Sequence, residues 1–212
     1  MSLFLAVEGG EGAGKSTQVR LLEQWLTDAG HEVVVTREPG ATPVGARVRA
    51  LLLDPATGEV APRAEALLYA ADRAQHVATL VRPALDRGAV VLTDRYVDSS
   101  LAYQGAGRDL EVAEVARLSR WATGDLRPDL VLLLDVDPAV GLARARAGGP
   151  LDRIEQESLD FHRRVREGFL ALAAAAPERY LVVAADLPPE EVADRVRARV
   201  AELLRRPSAV PA

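Results

Sequence analysis

The residues with the clearest potential for chemistry lie near the start of the chain, where positions 9–16 read GGEGAGKS. This segment matches the pattern G-x-x-x-x-G-K-[ST] in full. Its glycines let consecutive backbone N–H groups point at phosphate oxygens, its lysine adds a compact positive charge, and its serine hydroxyl can ligate Mg2+. An apolar run precedes the loop and a helical pattern begins at Ser16. We therefore predict a nucleoside triphosphate site built from Gly9, Gly10, Glu11, Gly12, Ala13, Gly14, Lys15, Ser16 and Thr17.

The use of basic residues along the chain narrows the class of phosphate chemistry. Lys15 is the only lysine among 26 basic residues, and the chain has no asparagine. The Asn-Lys-x-Asp segment with which GTPases recognise their base is therefore excluded. Coding bias alone could explain the many arginines, but scattered arginines beside such a loop favour a kinase that must hold two polyanions together.

Composition sets the remaining bounds on what the chain can be. The 212 residues carry a formal net charge of −5 and no cysteine, and 49% of them are hydrophobic. These values predict a single domain over residues 1–212, without disulfides, thiolate metal sites or a general affinity for nucleic acid. No apolar run approaches the roughly 18 residues that a membrane span needs. We expect a cytoplasmic protein with no membrane partner.

The elements that must position the loop follow from hydrophobic patterning. Five short apolar runs, typical of strands buried on both faces of a parallel sheet, occupy 4–7, 33–35, 89–92, 130–134 and 181–183. Helical periodicity occupies 15–29, 43–53, 63–87, 111–122, 138–147, 156–175 and 189–205. This alternation predicts an α/β fold with a doubly wound, five-stranded parallel sheet flanked by helices on both faces. Ligands should bind beyond the carboxyl ends of the strands. The tail from residue 207 onward is expected to fray.

Further motifs occur along the chain, two of them after the second and third predicted strands. They read TREPG at 36–40, DRY at 94–96, SSLAYQG at 99–105, RPDL at 127–130 and LDRIE at 151–155. Together with the loop, they make nearly the whole chain resemble the bacterial thymidylate kinases. The resemblance implies a P-loop kinase fold, transfer of the γ-phosphoryl group of ATP to dTMP with Mg2+, and a homodimer. Two alternatives stay open: another nucleotide or deoxynucleoside kinase of this fold, and a P-loop protein that binds nucleotide without transferring phosphate.

The resemblance also implies roles for individual residues. Arg95 would grip the acceptor phosphate, and Asp94 would organise the metal together with Ser16. On the sequence alone, the favoured interpretation of Tyr69 and Arg73 is a core tyrosine beside a solvated arginine. The resemblance instead has Tyr69 stack on thymine and Arg73 donate to a base carbonyl, with Tyr103 excluding a ribose 2′-hydroxyl. The expected dTMP-binding set is Glu11, Glu38, Arg49, Tyr69, Arg73, Arg95, Ser100, Tyr103 and Gln104.

One family variation concerns the arginine that neutralises charge on the transferred group. Some members carry an arginine in the loop at the position that Gly12 occupies in this chain, so this chain lacks that arginine. The segment 144–154 has arginines around Gly148 and Gly149 and is expected to form a mobile lid that supplies one instead. By resemblance, Arg153 ranks first as the catalytic arginine and Arg146 second, while Arg144 is expected to pack against the adenine. The three histidines, at positions 31, 76 and 162, show no metal spacing and are assigned no role.

Overall fold

A five-stranded parallel sheet forms the centre of the protein. The computed structural model describes residues 2–205, so the predicted frayed tail lies outside the described part of the chain. The strand order is β2-β3-β1-β4-β5. The strands are β1 (Leu3–Gly9), β2 (Val33–Arg37), β3 (Val90–Asp94), β4 (Leu130–Asp135) and β5 (Tyr180–Ala184). The predicted strands and the fold class are confirmed.

Each strand extends further toward its carboxyl end than the apolar pattern predicts. On β1 to β4 the added residues are polar or glycine, for example Glu8 and Gly9 on β1, and Thr93 and Asp94 on β3, whereas β5 adds Ala184. Hydrophobicity misses them because strand conformation continues into the residues that line the ligand edge of the sheet. The parallel register places Val7 beside Asp94, and Asp94 beside Arg37.

Burial differs between the middle and the edges of the sheet. Strands β3, β1 and β4 have their apolar side chains buried on both faces. On the outer strands, Val35 is 39% exposed and Val182 is 46% exposed. The expectation that all five strands are buried on both faces is therefore wrong for β2 and β5. An edge strand has a neighbour on one side only, so the flanking helices cover it incompletely.

The helices lie between successive strands, and the last one follows β5. They are α1 (Lys15–Asp28), α2 (Pro43–Leu53), α3 (Pro62–His76), α4 (Arg82–Asp86), α5 (Val97–Ser100), α6 (Val112–Thr123), α7 (Pro138–Gly148), α8 (Leu159–Ala175) and α9 (Pro189–Leu204). A wide, π-helical segment (Val77–Val81) joins α3 to α4, and a second (Leu101–Gly107) extends α5. Single 3-10 turns occupy Pro55–Thr57 and Pro177–Arg179. Within residues 2–205, no helix is both long enough and apolar enough to cross a membrane.

Two helix starts show why the boundaries lie where they do. Helix α8 begins at Leu159 rather than at 156 because the Ser158 hydroxyl accepts from the Phe161 N–H at 3.2 Å and caps the helix. Helix α2 begins after Thr42, whose hydroxyl accepts from the Gly45 N–H at 2.9 Å. These caps fix the residues at which the two helices begin.

Candidate active site

The glycine-rich loop joins β1 to the N-terminus of α1. Gly14 precedes the helix with φ of 86°, a left-handed conformation that glycine adopts without steric cost. Lys15 is 9% exposed, and its Nζ donates to the carbonyl oxygens of Gly9 at 3.1 Å and Gly10 at 2.7 Å. Burial lowers the pKa of Lys15, with a further contribution from Arg95. The loop thus offers backbone N–H groups, a helix N-terminus and one lysine, which suits a polyphosphate.

A second cluster of charge lies beside the loop at the end of β3. Arg95 leaves the strand with φ of 69°, and its N–H donates to the Val7 carbonyl at 2.9 Å. Its guanidinium donates to Glu11 Oε1 at 2.8 Å and lies 4.9 Å from the centre of the Tyr103 ring. The Tyr103 hydroxyl donates to the same Glu11 oxygen at 2.6 Å. Through these contacts Arg95 and Tyr103 are joined to the loop, which carries Glu11.

The electrostatics of this cluster determine its protonation. Burial alone would raise the pKa of Glu11, but Arg95 and Lys15 outweigh that effect and hold it at about 2. Burial raises the pKa of the Tyr103 hydroxyl well above its ordinary value. Glu11 is therefore a carboxylate and Tyr103 a neutral phenol at neutral pH. An incoming phosphate would find Arg95 charged and already oriented.

Arg73 anchors the opposite end of the site. It is 1% exposed, so the interpretation of this residue as a solvated arginine is wrong. Its Nε donates to Glu38 Oε2 at 2.7 Å, and its Nη2 donates to the Tyr96 carbonyl at 3.0 Å and to Ser100 Oγ at 3.1 Å. Its Nη1 has only a long contact of 3.4 Å, to Ser119. A planar guanidinium fixed on two sides keeps one edge available for a ligand.

Glu38, the partner of Arg73, also contacts a histidine that sequence reasoning left without a role. His76 is fully buried, and its Nδ1 lies 2.8 Å from Glu38 Oε1 while its Nε2 lies 2.7 Å from Thr36 Oγ1. His76 therefore orients the carboxylate that orients Arg73. The spacing of three residues between Arg73 and His76 on one helix was the signal that could have found it.

One cleft of about 500 Å³ brings the two ends together. From the predicted set, its lining includes Glu11, Gly12, Ala13, Gly14, Lys15, Ser16, Thr17, Glu38, Arg49, Tyr69, Arg73, Asp94, Arg95, Ser100, Tyr103 and Gln104. Burial raises the pKa of the Tyr69 hydroxyl, so the side chain is uncharged at neutral pH and its ring offers the cleft an uncharged face. Arg49 donates to the Pro39 carbonyl at 3.0 Å, and Arg37 also lines the cleft.

A buried glutamate on β1 supports the acceptor side and was missed by sequence reasoning. Glu8 accepts from the Tyr96 N–H at 2.8 Å, from the Ser99 N–H at 3.2 Å and from the Ser99 hydroxyl at 2.6 Å. Arg95 in turn donates to Ser99 Oγ at 3.1 Å. Burial and the neighbouring Asp98 raise the pKa of Glu8 to about 7. The available signal was an acidic residue inside an otherwise apolar strand, which must have partners.

The predicted lid spans the end of α7 and the following loop, and its three arginines make different contacts. Arg153 donates to the Leu52 carbonyl at 2.7 Å and to Glu65 Oε2 at 2.5 Å, at the acceptor side of the molecule. Its own N–H donates to the Leu53 carbonyl at 2.9 Å. The inward swing of Arg153 on closure stays a prediction, and in this structure its side chain is held at the acceptor side. The reason is long-range, since Glu65 lies 88 residues away in the chain.

The other two lid arginines lie on α7. Arg144 donates to the Ala185 carbonyl at 2.9 Å and, at 3.5 Å, to the Gly12 carbonyl of the loop. The Arg146 side chain is exposed on the last turn of the helix. Of the three, Arg146 is thus the one whose guanidinium makes no hydrogen bond to another described residue.

The close approach of α7 explains why the loop has glycine rather than arginine at position 12. Gly12 has φ of 62°, and a Cβ there would collide with the backbone carbonyl of Gly141. A Cβ on Gly141 would in turn collide with the Glu11 carbonyl. The loop and the first turn of α7 therefore touch through backbone, and neither position can carry a side chain without rearrangement.

Comparisons of the sequence and the fold with known proteins identify the same family that the motifs indicate. Residues 7–196 match the family model described as thymidylate kinase. The thymidylate kinase of Clavibacter michiganensis subsp. michiganensis is 58% identical over 95% of this chain and 96% of that protein. That of Deinococcus radiodurans is 56% identical over 94% of this chain and 97% of that protein. A crystal structure of thymidylate kinase from Ehrlichia chaffeensis has a TM-score of 0.74 at 29% identity, covering 96% of this chain and 99% of that one.

A family match over most of the chain, relatives above half identity and a solved structure of the same fold all lead to one assignment, which confirms the resemblance inferred from the motifs. The chain belongs to the thymidylate kinase family.

Proposed function

We propose that the protein transfers the γ-phosphoryl group of ATP to dTMP, giving ADP and dTDP, through the residues named above. Membership of the family supplies the activity. The observation that carries the residue assignment is the single cleft in which the glycine-rich loop with Lys15 meets the cluster of Arg95, Glu11 and Tyr103. Such a cleft can hold two phosphorylated ligands with their phosphates adjacent, which is the main requirement for phosphoryl transfer.

The donor phosphates would lie in the loop. Backbone N–H groups and the N-terminus of α1 would contact their oxygens, and Lys15 would neutralise charge on the β- and γ-phosphates. Lys15 now donates to two loop carbonyls, so binding would exchange those contacts for phosphate oxygens. Gly9, Gly10, Gly12, Ala13, Gly14 and Thr17 complete the donor set.

The residues at the mouth of the loop fit Mg2+. Ser16 is exposed and Asp94 half-buried, and both line the cleft. Among residues 2–205, no group of three or more His, Cys, Asp or Glu side chains is placed to hold a metal. This suits Mg2+, which binds through one or two protein oxygens, waters and substrate phosphates. When bound there, the ion would neutralise phosphate charge.

The acceptor would occupy the other half of the cleft. Its phosphate would lie against Arg95, and the sugar 3′-hydroxyl would meet the carboxylate of Glu11. The ring of Tyr103 would occupy the space that a ribose 2′-hydroxyl needs. The base would stack on Tyr69 and accept from Arg73, with Glu38, Arg49, Ser100 and Gln104 completing the wall.

The catalytic arginine of the lid would be Arg146 in this chain. Arg153 is tied to Glu65 and Leu52, whereas the Arg146 guanidinium is exposed next to Ala145, a residue that lines the cleft. A short movement of the end of α7 would bring it toward the transferred group. Arg144, between the loop and Ala185, would support the donor side.

A coupled assay of ADP release tests the function directly. With ATP and Mg2+, dTMP should be turned over best and dUMP measurably, because one methyl group in an apolar pocket is worth about 10- to 200-fold. Preference for another monophosphate would favour a different kinase of this fold, and nucleotide binding without turnover would favour a regulatory protein.

Three further predictions accompany the function. We propose that residues 1–212 act as one catalytic domain, that the protein is a homodimer, and that it works in the cytoplasm without nucleic-acid or membrane partners. Light scattering coupled to size exclusion tests the dimer.

A further inference from the structure

Glu65 on α3 is a buried carboxylate that the proposed mechanism does not use. It is fully buried, and four donor groups converge on it. Its Oε1 accepts from Gln104 Nε2 at 2.9 Å and from Arg108 Nε at 3.1 Å, and its Oε2 accepts from Arg108 Nη2 at 3.1 Å and Arg153 Nη2 at 2.5 Å. Burial alone would raise the pKa of Glu65, but the hydrogen bonds from Arg108, Gln104 and Arg153 lower it. Glu65 is therefore ionised.

An ionised carboxylate sets the orientation of the Gln104 amide. A carboxylate only accepts hydrogen bonds, so the NH2 group of Gln104 must face Glu65 and its Oε1 must face away. Gln104 is 1% exposed and lines the cleft. No described residue donates to its Oε1. The amide oxygen is thus the group that Gln104 has left for a ligand.

Arg73 presents the complementary group on the same wall. Its Nη2 donates to Ser100 Oγ, and Ser100 lies four residues before Gln104 on the helix formed by α5 and its extension. The wall therefore combines guanidinium donors with one acceptor oxygen. Thymine and uracil offer a carbonyl acceptor at O4 beside an N–H donor at N3, which matches this pair. Cytosine offers an amino donor beside an acceptor nitrogen, which opposes it at both positions.

We propose that Glu65 is a positioning residue for base selection: it holds the Gln104 amide with the oxygen toward the base and so makes the site reject cytosine. This inference rests on the proposed function, because it takes the base to lie between Arg73 and Gln104. Arg108 and Arg153 keep the buried charge compensated, so the carboxylate stays ionised without involving the substrate.

The test is Glu65→Gln. This substitution keeps the shape of the side chain but replaces the carboxylate, which only accepts hydrogen bonds, with an amide that both donates and accepts them. The Gln104 amide then loses its fixed orientation. We expect the ratio of kcat/KM for dTMP to that for dCMP to fall about tenfold, with the dCMP value unchanged or raised. The ratio of dTMP to dUMP and the KM for ATP should stay as in the wild type. General damage would lower all acceptors together, which would contradict the proposal.

The matched control is Glu157→Gln. Glu157 also accepts from Arg108, at 2.5 Å, but makes no hydrogen bond to Gln104, so the dTMP to dCMP ratio should not change. An equal fall in this control would overturn the proposal, and so would an unchanged ratio in Glu65→Gln.

A second variant covers the case in which Glu65→Gln fails to fold, as judged by circular dichroism. Gln104→Met keeps the volume but offers the base no oxygen, and should lower the dTMP to dCMP ratio by a similar factor. A native ratio in this variant would also overturn the proposal. Absence of dTMP phosphorylation by the wild-type protein would contradict the proposed function itself. The selectivity ratios of the variants test the role of Glu65 in a wild type that is active, so the two failures are distinguishable.

Discussion

The donor and acceptor halves of the cleft are built from different kinds of phosphate-binding groups. The donor half is local: the loop of residues 9–16 supplies backbone N–H groups, and Lys15 contacts carbonyls five and six residues away. The acceptor half is assembled from distant side chains, such as Arg73 with Glu38 and Arg95 with Glu11, which are 35 and 84 residues apart.

This difference has an energetic consequence. Backbone groups cannot be removed by substitution, and Lys15 in the donor half donates to backbone carbonyls and makes no salt bridge within residues 2–205. In the acceptor half the side chains are buried ions that compensate one another, so removing one leaves an uncompensated partner. We therefore expect donor-side changes to act on turnover and acceptor-side changes to act on both stability and affinity.

The largest expected effect is that of Lys15→Ala. Loss of the only lysine should lower kcat by about 10³ to 10⁵-fold, because no other group in the loop carries positive charge. The dissociation constant for dTMP, measured by calorimetry, should change little. A loss of dTMP affinity comparable to the loss of ATP affinity would contradict the division into two halves.

The next effect separates the lid arginines. Arg146→Ala should lower kcat by about 10³-fold at saturating ATP with little change in KM for dTMP, since its charge is needed only in the transition state. Arg153→Ala, which removes a partner of Glu65, should act mainly on the acceptor side. Near-native kcat in the alanine variants of Arg144, Arg146 and Arg153 would eliminate the lid mechanism.

A stability comparison addresses the buried charges. Glu38→Gln leaves Arg73 and His76 without their carboxylate and should cost about 3 to 5 kcal/mol in the free energy of unfolding by urea. The matched control is Glu32→Gln: Glu32 pairs with Arg87 at the same 2.7 Å but on the surface, and its loss should cost about 0 to 1 kcal/mol. Equal costs would show that the stability of the acceptor half does not depend on ion pairs between buried charges.

Acceptor choice gives a smaller effect. Tyr103→Ala should raise kcat/KM for the ribonucleotide form of the acceptor relative to dTMP by about tenfold or more, because the ring no longer fills the space beside the sugar. Tyr103→Phe keeps the ring and loses only the hydroxyl that donates to Glu11, so it serves as the control. An unchanged ratio in Tyr103→Ala would remove the tyrosine as the gate.

The smallest effect is a pH dependence of stability from Glu8. Its pKa is raised from 4.5 to about 7 in the folded protein, so its contribution to stability is full below pH 4.5 and declines as the pH rises toward 7. Glu8→Gln cannot ionise, and its stability relative to the wild type should improve over that window by at most about 1.4 kcal/mol per pH unit. Chemical denaturation at several pH values measures this, and parallel pH profiles would contradict it.

Much of the fold and part of the site follow from local patterns. The strands, most of the helices and the loop with its start of α1 depend on residues adjacent in the chain, and the structure has them where the patterns predict. The family motifs likewise named most of the residues that line the cleft. The wide turns of Leu101–Gly107 were not predicted, because they depend on packing against α8.

The sequence by itself determined the phosphate loop, because glycine conformations, a helix start and one lysine are properties of a contiguous segment. It also determined the parallel sheet and which residues follow each strand. Only the tertiary structure decided that Arg73 is buried with Glu38 and His76, that Glu8 supports Ser99, and that Arg153 binds Glu65 rather than facing the loop. The physical reason is that the packing of distant elements determines which group pairs with a buried charge. The residues adjacent to that charge in the sequence do not indicate the partner.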